Sequence, residues 1–73
     1  MKTQSKKEVA VSLWDMADKI IKEGDYDVIN VRKAQFIDAV KAASALSPAE
    51  KEEILEIFQT AGAAEVKKHL EEL

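Results

Sequence analysis

The sequence predicts an all-α fold, a small single-domain bundle of about four helices covering residues 1–73. Three observations carry that prediction. Apolar residues recur at helical spacing along most of the chain, a helix-start signature stands at Ser47, Pro48 and Glu50, and the two glycines, Gly24 and Gly62, fall where helical runs stop. One long N-terminal helix and three shorter ones are expected.

The first helix is read over residues 5–23. Val9, Leu13, Trp14, Met16, Ala17, Ile20 and Ile21 fill one broad apolar arc. The opposite side carries Asp15 with Lys19, Asp18 with Lys22 and Lys19 with Glu23, each spaced i, i+4 as a weak stabilising ion pair. Val11 alone is an apolar residue clearly outside the arc. Gly24 stands where a left-handed C-cap belongs.

A joint follows, "GDYDVIN", in which Val28, Ile29 and the next residue Val31 favour extended backbone. Asn30 can then cap a second helix over residues 31–45, its side-chain oxygen accepting an amide of the first turn. Phe36, Ile37, Val40 and Ala43 would form its inner face, with Leu46 packing in the turn beyond.

The third helix has the clearest start. Ser47 is an N-cap, Pro48 loses nothing at the first helical position, and Glu50 lies three residues past the cap to complete a capping box. Ile54, Leu55, Ile57, Phe58 and Ala61 share its apolar arc. At about 100° per residue, a helix continued unbroken to Leu73 would point Val66, Leu70 and Leu73 roughly 100° away from that arc. Gly62 is therefore expected to break the run, leaving a fourth helix over residues 63–73.

Composition narrows function mainly by exclusion. With 47% hydrophobic and 34% charged residues the chain is expected to fold, but 73 residues leave no room for a large internal substrate cavity. No cysteine is present, which removes disulfides, Cys-based zinc sites and thiol nucleophiles. The basic start "MKTQSKKEV" precedes apolar residues broken by Ser12, Asp15 and Asp18, so neither a signal h-region nor a membrane span is expected, and a cytoplasmic protein is. The net charge of −3 divides into alternating segments: +2 over residues 1–8, −3 over 9–30, +2 over 31–45, −3 over 46–60 and −1 beyond. Attraction between neighbouring elements is the simplest use of that pattern.

Catalytic and metal-binding motifs are missing their parts. Asp25 and Asp27 imitate the first ligands of a calcium loop, but the fifth position is Ile29, the sixth Asn30 instead of glycine, and the twelfth Phe36 instead of glutamate. Glu65, His69 and Glu72 could share one side of the last helix, yet no second histidine exists to complete a transition-metal site. With one histidine and neither phosphate-binding glycine motif, an enzyme is not expected, and neither is a cofactor or a metal.

What remains is binding to another macromolecule. The expected function is a small protein–protein interaction module, of the kind found among bacterial and bacteriophage regulators or inhibitors that act on a larger protein such as a component of the transcription machinery. Trp14 and Tyr26 are the candidate aromatic anchors, and Lys6, Lys7, Arg32 and Lys33 the candidate cationic contacts. Residues 1–5 are expected to form a mobile basic arm. A helical nucleic-acid-binding regulator is the alternative. Its would-be recognition helix, "PAEKEEILEIF", sets four glutamates against one lysine and would repel phosphate, so such a protein would use a different geometry with Lys2, Lys6, Lys7, Arg32, Lys33 and Lys41. Self-association through the small residues "AVKAASA" or through the stripe of the fourth helix is a third reading.

Overall fold

A computed structural model describes residues 5–73 as four helices, α1 (Lys6–Lys22), α2 (Tyr26–Ala42), α3 (Pro48–Ala61) and α4 (Ala63–Glu71). Each packs on the next in chain order, and α4 returns against α1 to close a ring. The α4 helix runs antiparallel to α1: Leu70 meets the level of Ala10, while Lys67 reaches Asp18 near the other end. The Cα radius of gyration, 11.7 Å, is close to the roughly 11 Å expected for one packed body of this length.

One continuous core occupies the centre of the ring. Val9, Leu13, Ala17 and Ile20 enter it from α1, Phe36 and Val40 from α2, Ile54 and Phe58 from α3, and Val66 and Leu70 from α4. The rings of Phe36 and Phe58 are tilted by 38° with centroids 4.7 Å apart. Full burial of such side chains is worth about 1.5–3 kcal/mol each, against about 0–1 kcal/mol for an exposed ion pair. Apolar packing therefore dominates the stability of this highly charged chain.

Several helix ends follow the sequence reading. Ser47 Oγ accepts the Glu50 N–H at 3.2 Å while the Glu50 carboxylate accepts the Ser47 N–H at 2.9 Å, completing the capping box. Gly62 ends α3 at φ +89°, ψ 178°, a conformation open essentially to glycine alone, and α4 restarts in a new phase. Leu46 is buried in the turn between α2 and α3.

The joint between α1 and α2 differs from expectation. Helix α2 begins at Tyr26 and is capped by Asp25, whose Oδ1 accepts the N–H groups of Asp27 (2.9 Å) and Val28 (3.3 Å). Asn30 is not its cap and lies inside the helix. The extended preference of Val28, Ile29 and Val31 is overridden by tertiary packing: within the helix Ile29, seven residues before Phe36, packs against the core. As a result α1 and α2 are equally long, 17 residues each, instead of one long helix preceding three short ones. At its other end α2 stops at Ala42 and not at residue 45.

Gly24 does not adopt positive φ and is not a left-handed cap. The Glu23 carboxylate does that work, Oε1 accepting the N–H groups of Gly24 (3.0 Å) and Asp25 (3.1 Å) while Oε2 receives Arg32 Nε at 3.3 Å. The expected Lys19–Glu23 pair accordingly gives way to these contacts, whereas Asp15–Lys19 (3.1 Å) and Asp18–Lys22 (2.8 Å) form. At the N-terminus, Ser5 caps α1 by accepting the Glu8 N–H at 3.2 Å, so it belongs to the fold. The other four residues of the expected mobile arm, 1–4, lie outside the described residues.

Candidate protein-binding surface

The helical repeat places Lys7, Val11 and Trp14 at i, i+4 and i+7 along the edge of α1 that borders α4. Ala10 continues that edge inward. Across the seam, the C-terminal end of α4 contributes Leu70, Glu71 and, just beyond it, Leu73. Together they line an open hollow of about 380 Å³ with a mainly apolar floor, rimmed by one lysine and one glutamate. Val11 stands on its edge at 63% exposure, which makes it one of the most exposed large apolar side chains among the described residues.

Trp14 is held in place from three sides. Its indole Nε1 donates to Glu71 Oε2 at 3.3 Å, and the Lys67 ammonium sits 4.2 Å from its ring centroid. The ring is half-buried and packs against the core, so it both anchors the α1/α4 seam and shows a face to the hollow. Lys67 Nζ also bonds Asp18 Oδ1 at 2.7 Å, and Lys22 takes Asp18 Oδ2 at 2.8 Å. Lys22, and after it Lys67, hold the Asp18 carboxyl below the usual carboxylate range. In return, the hydrogen bond to Asp18 raises the Lys22 ammonium above its ordinary value.

The six residues picked from the sequence do not form one patch. Lys7 and Trp14 meet at the hollow. Lys6 is drawn to Glu50 at the start of α3, and this contact, followed by the Ser47 N–H, lowers the Glu50 pKa. Arg32 turns back to Glu23, whose carboxyl is lowered first by the Asp25 N–H and, after burial opposes it, by Arg32. Tyr26, at the first position of α2, is 77% exposed. Lys33 borders a separate cleft with Ile20, Ile37, Phe58, Gln59, Gly62 and Ala63.

Sequence reasoning missed the α4 half of the hollow. The stripe of the fourth helix holds Leu70 and Leu73, but nothing in the spacing ties them, Glu71 or Lys67 to Trp14, because that meeting depends on the antiparallel return of α4. A signal for the α1 half existed in Val11, the one apolar residue outside the first helix's arc.

Three of the residues weighed as metal ligands, Asp25, Glu65 and His69, serve other contacts. Asp25 caps α2, Glu65 lies 3.6 Å from Lys68, and His69 Nε2 lies 3.6 Å from Glu53 Oε1 across the α3/α4 seam. Among the described residues no three histidine, aspartate or glutamate side chains gather as a metal-binding group, and no helix is long and apolar enough to cross a membrane. Comparison with known proteins finds no matching family, no matching curated protein and no matching solved structure.

Proposed function

We propose that this chain is a small non-enzymatic module that binds a larger protein through the hollow between α1 and α4, with Trp14 and Val11 as its apolar anchors and Lys7 as a rim contact. The observation that supports this reading is the hollow itself: an apolar floor left open to solvent beside a well-held tryptophan and an exposed valine. Aromatic anchors at such positions dominate the energetics of many protein interfaces. A cytoplasmic regulator or inhibitor, bacterial or phage-borne and acting on a machine such as the transcription apparatus, is the role we assign to such a module.

The two alternatives have less in their favour. Lys6 and Arg32, two of the cations a nucleic-acid surface would use, are each engaged by a carboxylate, which reduces the cationic surface available to phosphates. For self-association through small residues, Ala39 of α2 and its C-cap Ala43 are already packed against the core, and Val66 and Leu70 of the α4 stripe are buried within it. Affinity capture from a lysate of the source organism tests the proposal, comparing wild type with Val11→Glu. That substitution changes an exposed helical position and should leave the thermal melt unchanged while abolishing capture. Undiminished capture by the folded variant would overturn the assignment.

A further inference from the structure

We draw no further inference here: the strongest candidate, the apolar hollow between α1 and α4 around Trp14, belongs to the surface already described, and because its rim carries both Lys7 and Glu71 nothing in the structure shows what covers it.

Discussion

Replacing each glycine in turn by alanine separates two positions that look alike in the sequence. Gly62 joins α3 to α4 at φ +89°, ψ 178°, whereas Gly24 does not adopt positive φ. A Cβ added at either site would meet nothing within 4 Å, so steric crowding by neighbours does not distinguish them. Backbone conformation does. A non-glycine residue held in the region Gly62 occupies costs on the order of 1–3 kcal/mol. Alanine at a compatible position such as 24 instead removes freedom from the unfolded chain and stabilises by about 0.4–1 kcal/mol. For a domain of this size each kcal/mol moves the melting temperature by roughly 4–8 °C. Thermal unfolding followed by circular dichroism should therefore show Gly62→Ala melting roughly 5–20 °C below wild type, with Gly24→Ala equal to it or a few degrees above. If Gly62→Ala melted with wild type while Gly24→Ala fell, the assignment of the helix break and of the α1/α2 joint would both be wrong.

Further outcomes follow from the caps, the core and the charges. Asp25→Ala should cost about 1 kcal/mol in urea denaturation, as cap removals typically do, while Asn30→Ala, at an exposed helical position, should cost nothing or stabilise slightly. Phe36, fully buried against Phe58, should cost about 3–5 kcal/mol when cut to alanine, a large share of the ~4–11 kcal/mol that a chain of this length commands. A collapsed circular dichroism melt would register that loss; an unchanged one would contradict the core assignment. Acid should destabilise the fold through Asp18, Glu23 and Glu50, whose carboxyls are lowered from ordinary values of 3.8, 4.5 and 4.5. Carboxyls that bind protons more weakly when folded contribute stability above those values and lose it as pH falls through the depressed ones, so denaturation midpoints should hold from neutrality to about pH 5 and then decline. Asp18→Asn should lessen the acid-side decline.

How much of this was legible in the sequence depended on whether the cause was local. The start of α3 was, because Ser47, Pro48 and Glu50 satisfy one another within four residues. The α3/α4 break was too, since a phase mismatch between apolar stripes can be counted without knowing what they touch. The start of α2 was not. Asp25 and Asn30 are both competent caps, and local propensity around Val28 and Ile29 favours the later one. What decides is Ile29 reaching the core in register with Phe36 and Val40, a tertiary gain that also lets Asp25 hold two amides. Arg32 with Glu23, nine residues apart, and Lys67 with Asp18, 49 apart, obey no spacing rule that could be read from the chain. The binding surface shares that limit: its α1 edge left a trace in Val11, but its α4 wall exists only once the ring closes.

Trp14 offers the most direct test of the docking surface, because it is the single tryptophan in the chain and lies in the hollow itself. With a partner obtained by affinity capture, fluorescence quenching by acrylamide should fall on complex formation, as the face of the indole left open to the hollow becomes covered. Val11→Glu should weaken the complex at least tenfold, about 1.4 kcal/mol, without changing the quenching of the unbound protein. A tight complex in which Trp14 stays as accessible as before, and which Val11→Glu leaves intact, would place the interface elsewhere on the bundle.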